Sequence, residues 1–359
     1  MSAGPRTILL TGATGYVGTL VLARLLERPD TEILCPVRAR DARHARERID
    51  GVLRSLWAQP GDDLSGRVRP VAFDLEHPST GLRLGDVTHV LHCAASVRFD
   101  LPLAQARRAN VGTAVVVADL ARRAQRLERM VHVSTAYVAG THRGTFHEAD
   151  LDVGQDFRNT YERTKFEAEG LLRESASDLP LTVARPSIVI GEAGTGWTTT
   201  FNVIYPMLRA YRRGLVRELP ADGDAVIDVV TGDYVADALV HLLLDVPHPA
   251  GTCHLVAGDG APTVAELRDM TADALGLEPV RLVESSADES PLDALTAYLD
   301  VRARFDDRAA RAQFALAGIR AAPAADALAA ALAYAERTGW GRTPLTRDQA
   351  TELLGRAAA

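Results

Sequence analysis

The sequence predicts an α/β fold: a doubly wound parallel sheet with a smaller, discontinuous C-terminal capping region. Three observations predict it. Strand-length apolar runs alternate with helix-period segments through the first half of the 359-residue chain, a glycine-rich turn joins the first strand to its helix, and the rhythm breaks near Glu192. Strands alternating with helices pair in parallel through right-handed crossovers that cover both faces of the sheet.

In order, "RTILLTGATG" reads as a buried strand entering a turn, "YVGTLVLARLLER" as the helix behind it, and "TEILCPVR" as a second strand. "DARHARERIDGVLRSLW" is a long helix, "RVRPVAFDL" a third strand and "VTHVLHCAA" a fourth. A helix over "NVGTAVVVADLARRA" precedes the fifth strand, "RMVHVSTAYV"; "NTYERTKFEAEGLLRES" is the next helix and "LTVARPSIVIG" the sixth strand. The stretch from 192 to 224 is richer in Gly, Thr and aromatics, after which "AVIDVVTGDYVADALVHLLLD" and "GTCHLVAG" resume the earlier style. The expected organisation is a cofactor domain over 1–191, with 225–258 returning to it. A capping region over 192–224 and 259–330 and a helical tail over 331–359 complete it, with "GWGRTPLT" as a turn in the tail.

Apolar content of 47% and charged content of 24% are those of a soluble globular protein. A net charge of -7 argues against a general nucleic-acid binder. Cys35, Cys93 and Cys253 are far apart and form no C-x-x-C pair, so neither a disulfide framework nor a zinc site is expected. "GTHRGTFHEAD" fits no standard metal spacing, and His89, His92 and His132, on or beside strands, read as structural. The N-terminus has too short an apolar run for a signal peptide, and no run of about 18 apolar residues would span a membrane. The expected compartment is the cytoplasm.

The turn "TGATGYVG" places Gly12, Gly15 and Gly18 where a strand becomes a helix. Such glycines allow a tight turn, close approach of the backbone to a pyrophosphate, and close helix–strand packing. The helix N-terminus adds N–H donors and a positive dipole end. Arg38 stands at the end of the second strand, where a site for NAD would carry an acid, and Arg48 follows ten residues on; both suit the 2′-phosphate of NADPH.

Among forty Lys and Arg residues, Lys165 is the single lysine. It is a compact, strongly hydrated point charge where guanidinium is a planar fork. Tyr161 lies four residues earlier, so a helix carries both on one face. A solvated lysine paired with Glu162 or Glu169 is the simpler reading of Lys165 in isolation.

"TGATGYVG", "CPVRARDARHARERI", "HCAASVRFDLPLAQARRANVGT", "VHVSTAYVAG", "YERTKFEAE" and "ARPSIVIGEAGTG" together resemble the extended short-chain dehydrogenase/reductases, and within them the thioester-reductase or fatty-acyl-CoA-reductase branch. The resemblance covers roughly residues 7 to 196 and implies a Rossmann fold. It implies cofactor contacts from Gly12, Thr14, Gly15, Tyr16, Val17 and Gly18, with Asp74 and Leu75 bordering the adenine. Cys93, Ala94 and Ala95 would line the cofactor, and Pro186, Ser187, Ile188 and Val189 would meet the nicotinamide. The catalytic set it implies is Thr135, Tyr161 and Lys165, with Ser134 the alternative to Thr135, Lys165 also reaching the nicotinamide ribose, and Asn110 supporting helix and strand. Tyrosine ordinarily titrates near 10, and a neighbouring ammonium together with the cationic nicotinamide is expected to bring it down.

The resemblance implies an NADPH-dependent oxidoreductase passing hydride to a carbonyl, foremost an acyl thioester reduced to aldehyde or alcohol. A ketoreductase, or a nucleotide-sugar epimerase or dehydratase, is the alternative. No adenylation or carrier segment is read in the chain, so the thioester is expected on a separate acyl or peptidyl carrier protein or on CoA. "LARRAQRLERM" reads as a solvated helix face or a docking site for an acidic carrier. Trp197, Phe201, Tyr205 and Tyr211 line an acyl pocket or fill ordinary core.

Overall fold

A computed structural model describes residues 6–59, 61, 64, 66–78, 82–248, 251–283 and 297–355; parts of the expected segments that fall elsewhere lie outside the described residues. The chain divides into two compact units. The first comprises Met1–Val138, Asn159–Arg185 and Val235–Cys253, and the second Ala139–Arg158, Pro186–Tyr234 and His254–Ala359.

The first unit is built on β1 (Arg6–Thr11), β2 (Thr31–Val37), β3 (Val68–Ala72), β4 (Val87–His92), β5 (Arg129–Val133), β6 (Leu181–Pro186) and β7 (Gly251–Leu255). They form one seven-stranded sheet in the order β7-β6-β5-β4-β1-β2-β3, parallel from β6 through β3. The order reverses between β1 and β4, the switch point beyond whose carboxyl ends such sheets bind ligands. Its helices are α1 (Tyr16–Leu26), α2 (Ala42–Leu56), α3 (Thr113–Arg122), α4 (Thr160–Ser175) and α5 (Gly232–Leu244), the last beginning in the second unit. β1 and β4 are almost continuously buried, as strands covered on both faces must be. Leu9 and Val90 of the sheet pack with Val117 of α3 and Leu172 of α4 in one apolar cluster.

Local chemistry sets the helix starts. Asp41 caps α2 by accepting the His44 N–H at 2.7 Å, and Asn159 caps α4 by accepting the Glu162 N–H at 2.9 Å. The turn before α3 is a π-helical segment over Arg108–Gly112, a wide turn of the kind often found at functional sites.

The second unit holds three short parallel ladders: Gly144–Phe146 with Ala303–Phe305, Ile188–Ile190 with Val229–Thr231, and Glu218–Pro220 with Arg281–Val283. Its helices include Tyr205–Arg212, Val264–Leu275 and Ala324–Arg337. Full capping boxes open Val264–Leu275 and Arg347–Leu354.

Two expected strands are shorter than their apolar runs. "LTVARPSIVIG" splits after Pro186: the Ser187 N–H turns to the Leu255 carbonyl and the Ile188 N–H to that of Asp228, so Ile188–Ile190 joins a different ladder. "RMVHVSTAYV" ends at Val133, and Ala136–Ala139 coils into a 3₁₀ turn. In the returning segment, Val229–Thr231 pairs with Ile188–Ile190, while Gly251–Leu255 takes the edge of the main sheet.

Candidate active site

Where β1 becomes α1, Gly12 has φ +75°, and a Cβ there would lie 2.7–2.9 Å from backbone atoms of Cys93 and Ala94. A Cβ on Gly18 would stand 2.1 Å from the Gly12 carbonyl oxygen. The turn therefore folds on itself and against the end of β4 through contacts only hydrogen permits. Thr11 fastens the same two strands, its hydroxyl accepting the Ala94 N–H at 3.3 Å and meeting His92 Nδ1 at 2.7 Å. Thr14 and Gly15 are exposed, Tyr16 and Gly18 are buried in α1, and Val17 is half-buried. No side chain caps α1 and no acid occupies its first turn, so its positive end faces outward uncompensated.

Arg38 extends from the end of β2 with its side chain 73% exposed, touching Glu76 at 3.4 Å. Arg48, on α2, donates to the Arg38 carbonyl at 2.6 Å and to the Thr14 hydroxyl at 3.3 Å. The sequence singled out Arg38, Arg48 and Thr14 separately; the fold brings them together beside the glycine turn. Asp74 accepts the Glu76 N–H at 3.0 Å, and Leu75 packs on the apolar core. Burial acts to raise the Asp74 carboxyl, but the Glu76 N–H, His77 and Arg38 outweigh it and hold it low.

Tyr161, Lys165 and Glu169 follow one another a turn apart on α4. Thr160 anchors the start of this helix by donating to the Leu101 carbonyl at 2.9 Å, and the Phe99 ring stands 5.9 Å from that of Tyr161. Tyr161 retains some solvent exposure, and its hydroxyl hydrogen-bonds the Thr135 side chain. The neighbouring Ser134 hydroxyl donates instead to Glu169 at 2.7 Å. Burial pushes the Tyr161 phenol up to about 12, against the opposing pull of Thr135. The lowering expected from the sequence is thus not supplied by the protein chain alone.

Lys165 is 2% exposed and donates to the Val133 carbonyl at 2.7 Å, which excludes the solvated surface pair. Burial draws its ammonium down to about 8, while Glu169 supports the charge. Glu169 itself is held by Arg185, at 2.7 and 3.1 Å, and by Arg173 at 2.7 Å. Both Glu169 and Arg185 are wholly buried. Sequence reasoning missed this pair; the signal was an arginine in the middle of the apolar run "LTVARPSIVI". Asn110 accepts the Ser96 N–H at 2.7 Å and donates to the Ser96 carbonyl at 3.1 Å and the Thr164 hydroxyl at 2.9 Å, tying the segment after β4 to α4.

Cys93 and Ala94 are half-buried and Ala95 exposed at the end of β4; burial pushes the Cys93 thiol up to about 12. In the second unit, Pro186, Ser187 and Ile188 are buried and Val189 half-buried. Asp228, also missed, organises that segment: its carbonyl accepts the Ile188 N–H at 3.2 Å, and its carboxylate accepts those of Ala257 and Gly258 at 2.9 and 3.0 Å.

Of the four aromatics, Trp197 and Tyr205 are core. Trp197 donates to the Leu345 carbonyl at 3.1 Å, and the Tyr205 hydroxyl accepts the Gly191 N–H at 2.9 Å. Phe201 stacks on Tyr334, and Tyr211 lines an apolar cavity of about 50 Å³ with Met207, Leu208, Val264 and Leu267. In "LARRAQRLERM", Arg122 is tied to Asp119 and Asp178, and Arg129 is buried and donates to the Val246 carbonyl, so the segment is not a uniformly solvated face. Among the described residues no cluster of His, Cys, Asp and Glu could hold a metal, and no helix is long and apolar enough to cross a membrane.

Residues 10–239 match the model of an NAD-binding family described as male sterility protein. Fatty acyl-CoA reductase 1 of Xenopus laevis is 29% identical over 274 residues, covering 65% of this chain and 53% of the relative. An isonitrile lipopeptide synthase of Streptomyces coeruleorubidus is 33% identical over 260 residues, covering 69% of this chain and 17% of the synthase. The chain thus spans about half the length of the fatty acyl-CoA reductases it matches. Among solved structures, the terminal R domain from the myxalamid PKS-NRPS biosynthetic pathway superposes with a TM-score of 0.81 at 26% identity, over 96% of this chain and 94% of that one.

Proposed function

The chain belongs to the NAD-binding male sterility protein family, within the extended short-chain dehydrogenase/reductases, and from that membership we propose that it is an NADPH-dependent reductase of acyl thioesters. The observation that carries the reading is the grouping on and beside α4: Thr135 bonded to Tyr161, with a fully buried Lys165 one turn on. Fatty acyl-CoA reductases and an R domain among the similar proteins support a thioester as substrate.

The residues fit a dinucleotide. Gly12, Thr14, Gly15, Tyr16, Val17 and Gly18 would hold the pyrophosphate on backbone N–H groups at the uncompensated end of α1. Arg38 and Arg48 would take the 2′-phosphate, Asp74 and Leu75 the adenine, and Cys93, Ala94 and Ala95 the middle of the cofactor. Lys165 would bond the nicotinamide ribose, and Pro186, Ser187, Ile188 and Val189 would meet the ring. When bound, NADPH supplies the hydride for the carbonyl carbon.

Thr135 donates to the carbonyl oxygen and stabilises the negative charge that grows there. Ser134 does not fill this role, since its hydroxyl is committed to Glu169. Tyr161 delivers the proton to the same oxygen. Its high position in the protein alone keeps it protonated until then; the Lys165 ammonium steadies the phenolate left behind. The resulting hemithioacetal releases thiol and leaves the aldehyde, which is the product or, with a second NADPH, is reduced to the alcohol. The thioester is carried by an acyl or peptidyl carrier protein or by CoA.

The test is oxidation of NADPH, and separately of NADH, with acyl-CoA, carrier-bound thioesters, aldehydes and ketones, using Tyr161→Phe as control. Thioester turnover lost in Tyr161→Phe is the expected result. Turnover of ketones alone would make the protein a ketoreductase. Tight NAD with a bound sugar nucleotide would favour the epimerase or dehydratase reading.

A further inference from the structure

His92 and His132 face each other as cross-strand partners on β4 and β5, with ring centroids 5.2 Å apart. His92 is 1% exposed and His132 0%. Three of their four ring nitrogens, His92 Nε2 and both of His132, have no hydrogen-bond partner among the described residues. Burial and the nearby Lys165 charge hold both rings far below the ordinary histidine range, His92 at about 3, so both are neutral.

The fourth nitrogen selects a tautomer. Thr11 Oγ1 accepts the Ala94 N–H, and among the described residues His92 Nδ1 is the acceptor within reach of its own proton; with the Thr11 proton placed there, the His92 proton sits on Nε2. That buried N–H has no acceptor among the described residues and lies beside a neutral His132 that needs one acceptor and one donor. Buried polar groups left in this way are normally served by an internal water with two to four polar partners.

We propose that His92 and His132 are positioning residues for Lys165, enclosing a buried water that accepts from His92 Nε2, donates to a ring nitrogen of His132 and accepts an Nζ proton of Lys165. An ammonium has three protons to place, and the Val133 carbonyl accepts one of them. Among the described residues, the titratable and charged groups facing Lys165 are Glu169 on its own helix, His92 and Cys93 at the end of β4, and His132 on β5, with Tyr161 one turn earlier on α4. Glu169 is shared with Arg185 and Arg173, so its support of the ammonium is divided. The imidazole–water group supplies polar contacts where burial alone would drive Lys165 neutral.

This inference rests on the catalytic assignment of Lys165 only for its consequence; its test does not. Because Lys165 is the sole lysine, protein grown with ¹⁵N-labelled lysine gives a single side-chain amine signal, whose pH titration reads this one group. His132→Phe, and independently His92→Phe, should lower the titration midpoint by about one pH unit, with His92→Gln closer to wild type because a polar partner returns. The alkaline limb of the kcat profile should move by the same amount. Unchanged midpoints in folded His132→Phe and His92→Phe overturn the proposal. If the phenylalanine variants do not fold, Thr11→Val serves, releasing the tautomer and shifting the midpoint; no shift in that variant is equally fatal. A shifted midpoint with an unmoved rate profile upholds the positioning role and refutes the catalytic reading of Lys165.

Discussion

Acidification is expected to unfold this protein before most of its carboxylates titrate, because the main sheet buries histidines in their neutral form. His89 lies on β4 near Arg6 and Arg129, and burial with those charges holds it at about 4; His92 sits at about 3 and His132 well below the ordinary value. In the unfolded chain each returns to about 6.5. The folded values are depressed, so the neutral form is the one the fold favours. Stability is complete above 6.5 and is lost as pH falls below it, when the unfolded chain takes up protons that the folded one refuses. The loss is about 1.4 kcal/mol per pH unit per histidine, hence about 2 kcal/mol each and about 6 kcal/mol for three between pH 6.5 and 5.

Asp228 works the other way in that window. Burial raises Asp228 to about 6, so its protonation on acidification returns about 1.4 kcal/mol by pH 5. Lys165, at about 8 against an unfolded value near 10.4, changes stability only above pH 8. The net loss is about 5 kcal/mol, comparable with the whole stability of an ordinary domain. Urea unfolding followed by far-UV circular dichroism at pH 7.5, 6.5, 5.5 and 5 measures it. His89→Gln, which keeps a polar group beside Thr88, should remove about one third of the slope below 6.5. A free energy of unfolding that stays level from pH 6.5 to 5 would refute the reasoning.

Tyr161→Phe removes the proton donor while leaving the ring against Phe99, and should lower kcat by about 10² to 10⁴ with NADPH binding retained, as single-turnover rates and fluorescence titration would show. Gly18→Ala forces a methyl into the Gly12 carbonyl and should abolish dinucleotide binding; calorimetric binding equal to wild type would contradict the close contact. Replacing Arg38 and Arg48 together by Ala should raise KM for NADPH and leave that for NADH nearly unchanged, since only the former carries a 2′-phosphate. Glu169→Ala strands the buried Arg185 guanidinium and should cost about 3 to 5 kcal/mol, measured by denaturant midpoint, whereas replacing both partners by Met should cost much less.

The glycine turn proposed to hold the cofactor was legible as a tight turn because its determinants are local. Gly12, Gly15 and Gly18 lie within one turn, and a glycine forced by φ +75° and a backbone contact leaves a trace that composition does not blur. Arg38 and Arg48 were also readable, ten residues apart across one strand end and one helix. Tyr161 and Lys165, proposed as catalytic, stood out in the sequence through helix periodicity and the rarity of lysine in an arginine-rich chain. What stayed hidden depends on pairing between distant strands. His92 and His132 are forty residues apart and become neighbours only through the β4–β5 register, and the same runs of apolar residues would read identically with the strands slipped by one. Glu169 looked like a surface partner for Lys165 because spacing on a helix says which residues share a face, not whether that face is wet. Arg185, sixteen residues on in the next strand, decides the matter: once β6 carries a buried guanidinium beneath α4, Glu169 must turn to it, and Lys165 is left to find its polar contacts in the sheet below.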